Sequence, residues 1–247
     1  MLVGAWWAGG STRTVPVGLA ALAAVALTAF ANAYNDYRDV GIDRVAHPAR
    51  PLPSGRLSLR AARYTALAAA AGALVLSAGA HPALLPVSWA VVVLMWAYSR
   101  RIKATGVPGN LVVALLASLP FLYGAIVAGR PARGWVLVAL AAPLHLAREI
   151  AKDMDDAPGD AGVRRTLPVA RGAAAARWAL VAALVLFAAA LLPLALRRPL
   201  FALCMAPGLG LCIAAARRVL SGRPGGALLF KTAMLASMAA LVVAFRR

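Results

Sequence analysis

The chain has 247 residues, of which 62% are hydrophobic and 14% charged, with a formal net charge of +18. Soluble domains average roughly 45–50% apolar and about 25% charged residues, so an ordinary globular domain and a disordered chain are both excluded. Nucleic-acid binding is excluded too, because Lys and Arg punctuate apolar segments instead of covering one face, as loops at an anionic membrane surface do.

With a mean hydropathy of +0.78 and apolar stretches near spanning length throughout, the chain is predicted to be all-α. It reads as a polytopic transmembrane helical bundle, one domain over 1–247. In chain order, Met1–Gly10 is apolar, carries Trp6 and Trp7, and is too short to span. It reads as an interfacial segment or the tail of a shortened helix, since Arg13 follows the apolar run where a signal peptide has its charge first. Eight spans follow, at about 14–34, 58–80, 83–99, 109–129, 133–149, 173–196, 199–216 and 226–245. Pro82, Pro108-Gly109, Pro131, Pro199 and Pro224-Gly225-Gly226 mark the breaks. Cys204 and Cys212 share one apolar segment and read as packing residues. Segments 35–63, 100–108, 148–177 and 217–231 hold 19 of the 26 Lys and Arg, so that side is expected to face the cytoplasm.

All eight acidic residues fall in two short windows, both at ends of spans on the basic side. The first has Asp36, Asp39 and Asp43; the second has Glu149, Asp153, Asp155, Asp156 and Asp160. At about 100° per residue, Asn35, Asp39, Asp43 and Asp36 lie within one helical stripe, and so do Glu149, Asp153, Asp156 and Asp160. Pro158-Gly159 is expected to end the second helix before Asp160. Asp155 points away and reads as solvated or paired with Arg. The spacing 36, 39, 43 is repeated at 153, 156, 160, and each window leads into a basic turn, which suggests an internal duplication.

Crowded carboxylates repel one another unless a cation joins them. A donor set of oxygens without Cys, and without His in register, points to Mg²⁺, which usually binds through a few carboxylates and substrate phosphates. Arg44, Arg50, Lys103, Arg164 and Arg165 lie on the same side and would neutralise the rest of a diphosphate. The competing bland reading is that each cluster caps its helix and pairs with Arg. A transporter is a second alternative, since membrane acids often mark ion pathways; here none lies at mid-membrane. A lipid-head-group phosphotransferase would need an Asp-Gly opening, whereas Tyr37 follows Asp36. His47, His81 and His145 read as a solvated turn, a helix break and a packed interhelical residue.

The stretch 35–55, Asn-Asp-Tyr-Arg-Asp-Val-Gly-Ile-Asp followed by an Arg-Pro-Leu-Pro-Ser-Gly turn, resembles the first aspartate-rich motif of the UbiA-type intramembrane prenyltransferases. The second motif resembles 148–160, with Thr166-Leu167-Pro168 after it. Tyr98 through Lys103, then Gly106 and Gly109-Asn110, resembles the family's tyrosine–lysine segment. The resemblance implies a helical bundle with a central cavity open to the cytoplasm and laterally to lipid. It also implies two Mg²⁺ ions that bind the diphosphate of a polyprenyl donor. Carried over by position, Asn35, Asp39 and Asp43 would be first-motif ligands with Asp36 supporting. Asp156 and Asp160 would be second-motif ligands with Asp153 alongside, and Tyr98 and Lys103 would steady the diphosphate and the allylic cation. Family members usually have nine spans, so the first is expected to be shortened here.

In motif form the chain is most similar to the branch that prenylates geranylgeranylglyceryl phosphate. The alternatives are an aromatic acceptor of the quinone or tocopherol type, or a non-catalytic homologue. The implied partners are a prenyl diphosphate, a lipophilic acceptor and the bilayer; neither nucleic acid nor an obligate protein partner is called for.

Overall fold

The computed structural model describes residues 1–9, 14–160 and 165–245. Helices α1 (Leu2–Ala8), α2 (Thr14–Ala46), α3 (Leu59–Ala80) and α4 (Leu84–Ala97) come first. A π-helical turn over Tyr98–Ile102 and a 3₁₀ turn over Lys103–Thr105 continue α4. Then come α5 (Val107–Val127), α6 (Pro131–Asp160), α7 (Leu167–Arg197), α8 (Pro199–Leu220) and α9 (Gly226–Ala244). No strand occurs among the described residues.

Among the described residues, seven helices are long and apolar enough to cross a membrane: α2, α3 and α5 to α9. They coincide with seven of the eight expected spans. The eighth, 83–99, corresponds to α4, whose 14 residues reach only about 21 Å at 1.5 Å per residue, short of a hydrocarbon core of about 30 Å. The π and 3₁₀ turns carry it onward with altered pitch. α7 kinks at Gly172, φ +83°, where the 173–196 span was expected to begin. α6 runs through Pro158-Gly159 to Asp160, so proline does not end it first.

The chain forms two compact units. The first comprises 1–103 with 120–134, and the second 104–119 with 135–247. In the first unit α2 packs along α3, and small and apolar residues are buried on both, Ala20, Ala23, Leu27 and Phe30 on α2 and Ala62, Ala66 and Ala73 on α3. Small side chains allow such close approach where the hydrophobic effect no longer drives association. α1, the segment expected to be interfacial, packs on the end of α5, with Ala8 buried among Ala125 and Ala128. A Cβ at Gly4 would sit 2.1 Å from the Phe121 carbonyl oxygen, and one at Gly124 2.1 Å from that of Met1, so both positions require glycine. Trp7 Nε1 donates to the Arg133 carbonyl at 3.1 Å, and Arg133 donates to that of Ala8 at 3.0 Å.

Three buried hydroxyls join α3, α4 and α5. Ser88 Oγ donates to Ser77 Oγ at 2.7 Å, Ser77 Oγ lies 3.1 Å from Tyr123 Oη, and Tyr123 also hydrogen-bonds Ser88. In the second unit α8 packs on α9, with Gly208 against Ser237 and Val219 against Gly226. Many large apolar side chains, among them Leu22, Val25, Leu67, Trp89, Val185 and Leu203, remain exposed, as lipid-facing helices require.

Candidate functional site

In the first unit α2 stays helical through its acidic window, so the stripe expected from spacing exists in the backbone. Its inner members are deeply placed: Asp39 is 7% exposed and Asp43 1%. Carboxylates so buried require compensating partners. Arg50, from the loop after α2, donates from Nη1 to Asp43 Oδ2 at 2.9 Å. Lys103 donates from Nζ to Asn35 Oδ1 at 3.1 Å and forms an ion pair with Asp39. The π turn that opens at Tyr98 delivers this lysine; a π turn shifts the register of all that follows, and such turns recur at functional sites. In the same turn Arg100 donates to Tyr34 Oη at 3.2 Å and lies over the Trp96 ring at 4.4 Å.

A cleft of about 640 Å³ opens beside this cluster. Its lining mixes polar and charged groups, Asn35, Asp36, Asp43 and Arg50, with apolar ones, Ala29, Leu52, Pro53 and Leu57. Such a pairing suits a molecule with an anionic head and a hydrocarbon body. The loop that closes the cleft is held by Arg56, which donates to Ser54 Oγ at 3.1 Å and to the Ala49 carbonyl.

Does the arrangement fit a divalent cation? Asn35 Oδ1 and Asp39 Oδ2, one helical turn apart, converge on a single cation, the Lys103 ammonium. Both donors are hard oxygens, the set Mg²⁺ prefers. Among the described residues no three Asp, Glu, His or Cys side chains group as a metal centre by themselves. An ion here would complete its shell with water and phosphate oxygens, as Mg²⁺ commonly does. The residues present fit.

In the second unit, the acidic end of α6 is satisfied differently. Asn110, 8% exposed on α5, donates from Nδ2 to Asp153 Oδ2 at 2.8 Å. Asp155 is half-buried, and its carboxylate accepts from the Gly225 and Ala227 amides at 3.1 and 3.4 Å, capping the start of α9, a role that spacing did not suggest. Glu149 pairs with its neighbour Arg148. Asp156 is exposed, and so are Arg165 before α7 and Arg44 near the end of α2. The Asp160 side chain and Arg164 lie outside the described residues.

The first unit thus gathers Asn35, Asp36, Asp39, Asp43, Arg50 and Lys103, with Tyr98 at the head of the turn that carries Lys103. Asn110 is the partner that spacing did not single out. Its signal was available, since a lone amide in an apolar helix needs a polar partner.

A family model described as the UbiA prenyltransferase family matches residues 1–241. The chain belongs to this family. Among curated UbiA-like relatives, a digeranylgeranylglyceryl phosphate synthase of Methanopyrus kandleri is 40% identical over 164 residues, 66% of this chain and 60% of that protein. One of Halobacterium salinarum is 35% identical over 247 residues, covering 98% of this chain and 89% of the relative. The match to the first of these therefore spans under two thirds of its length. The fold is similar to the apo structure of a UbiA homologue from Aeropyrum pernix K1, with a TM-score of 0.84 at 22% identity, covering 98% of this chain and 94% of the other.

Proposed function

We propose that this UbiA-family chain transfers a polyprenyl group from an allylic prenyl diphosphate to geranylgeranylglyceryl phosphate or a similar glycerol-phosphate ether-lipid precursor. The observation that carries the reading is the cation position between Asn35 and Asp39, beside a cleft lined by both charged and apolar side chains. The names borne by the Methanopyrus and Halobacterium relatives support the choice of acceptor.

Mg²⁺ would neutralise the diphosphate and assist its departure. By the family resemblance, Asn35, Asp39 and Asp43, with Asp36, would hold an ion in the first motif, and Asp156 and Asp160, with Asp153, in the second. Arg44, Arg50 and Lys103 beside the first motif, and Arg164 and Arg165 beside the second, would take up remaining charge on the diphosphate, and Tyr98 would steady the allylic cation with Lys103. Apolar walls exclude water that would otherwise capture the cation. The bond to diphosphate breaks to leave the allylic cation, and the acceptor hydroxyl oxygen then bonds to the allylic carbon as its proton passes to the released diphosphate or to solvent. The excess of Lys and Arg in the loops on the side of the acidic windows supports a cytoplasmic face for this chemistry.

The test is Mg²⁺-dependent pyrophosphate release from geranylgeranyl diphosphate by purified protein in lipid, against a panel of acceptors. Release with geranylgeranylglyceryl phosphate and a new ether product is expected. Release only with an aromatic acceptor would move the reaction to that branch, and no release with any pair would favour a non-catalytic homologue.

A further inference from the structure

Lys103 occupies the place where its own neighbours would bind a metal. Its ammonium is held by Asn35 Oδ1 at 3.1 Å and by Asp39 Oδ2 in an ion pair. These are the oxygens that the metal reading assigns to the first ion. An ammonium seated between these two oxygens stands where a divalent ion bridging them would sit, and the two cations repel, so this one position is held by either the ammonium or the ion.

We infer that Lys103 is an exchangeable counter-ion: it neutralises Asp39 until a divalent cation takes the Asn35 and Asp39 oxygens, and then carries its charge onto the diphosphate that arrives with that cation. The inference rests on the proposed function and deepens it by setting an order of binding.

Three observations support the exchange. Asp39 is 7% exposed, so its carboxylate needs a positive partner at all times, and Lys103 supplies one. Lysine carries its charge on a flexible four-carbon stem, which suits a group that must change partners. Lys103 also begins the 3₁₀ turn that follows a π turn, so the backbone beneath it is not locked into an α-helical ladder. Arg50, by contrast, is a guanidinium fixed on Asp43 from the loop, and its side chain is half exposed.

Exchange has a thermodynamic consequence. A cation that binds alone must displace Lys103 and leaves the ammonium without an anion. A cation that binds with diphosphate gives the released ammonium a new partner. Cation and diphosphate must therefore each raise the affinity for the other.

The experiment titrates the purified protein with Mn²⁺ as probe, read by EPR, with and without inorganic pyrophosphate, for the native protein and for Lys103→Met. The native protein is expected to bind Mn²⁺ at least tenfold more tightly with pyrophosphate than without. Lys103→Met is expected to bind Mn²⁺ alone about tenfold more tightly than the native protein and to lose most of the gain from pyrophosphate. Unchanged or weaker binding of Mn²⁺ alone by the variant, while the native protein does bind Mn²⁺ with pyrophosphate, overturns the exchange and leaves the metal site standing. No Mn²⁺ binding by the native protein under either condition brings down the metal reading itself, and the exchange with it.

A second measurement needs no variant to fold for its readout. The chain has three lysines, Lys103, Lys152 and Lys231, so ¹³C-methylated lysine NMR resolves each side chain. One signal is expected to shift strongly on addition of Mg²⁺ with pyrophosphate and little with either alone. Three signals that all stay still when both are added overturn the exchange.

Discussion

The two acidic windows share the spacing 36, 39, 43 and 153, 156, 160, yet the protein satisfies them by different means. The first is met by full charges, Lys103 on Asp39 and Arg50 on Asp43. In the second, Glu149 meets a full charge, that of its neighbour Arg148, while Asp153 and Asp155 are met by neutral donors, the Asn110 amide and two backbone amides. Cations on long stems can be traded for another cation, whereas an amide or a helix N-terminus only orients the carboxylate it touches. Spacing along a helix therefore predicts which acids share a face. It says nothing of what will meet them, because the partners come from segments tens of residues away.

The comparison can be broken at several points. The largest effect is expected from Asp39→Ala, which removes the oxygen that Lys103 and a metal ion would both use. Prenyl transfer should fall by ~10³-fold or more, on the scale expected when a charge-stabilising element of a reaction is lost, measured as pyrophosphate release in lipid. If turnover survives, the first window is a structural cap and the contrast disappears. Asn110→Ala should come next. Loss of a residue that orients a ligand typically costs ~10–100-fold in metal affinity or activity, and Asn110→Asp should not restore it, because it sets a second carboxylate against Asp153. Asp155→Ala should be the mildest. Removing a cap from α9 costs about 1 kcal/mol, seen as a lower thermal midpoint in detergent with pyrophosphate release nearly unchanged. A collapse of activity in Asp155→Ala would mean that the second window acts as one chemical unit and not as a divided one.

Much of this was legible in the sequence. Seven apolar runs became helices of spanning length, and the first acidic stripe persists because α2 continues unbroken through Asp43. What escaped was non-local or irregular. The π turn at Tyr98–Ile102 lies in a run of ordinary helix formers, and nothing in Tyr-Ser-Arg-Arg-Ile announces an added residue per turn. The role of Asp155 depends on Gly225, 70 positions later, whose φ of +88° starts α9. Proline normally reads as a stop, yet α6 runs on through Pro158 to Asp160.

The knot of Ser77, Ser88 and Tyr123 has a consequence for how this chain can change over time. Each hydroxyl is the partner of the other two, and all three are buried. Ser77 and Ser88 also reach the Ala73 and Leu84 carbonyls of their own helices, so either serine survives the loss of the tyrosine, and the tyrosine survives the loss of one serine. Losing both serines is different, because it leaves the buried Tyr123 hydroxyl without either partner, at a cost greater than the bonds themselves were worth. The two serines are therefore coupled through the tyrosine, and their substitutions are not expected to add.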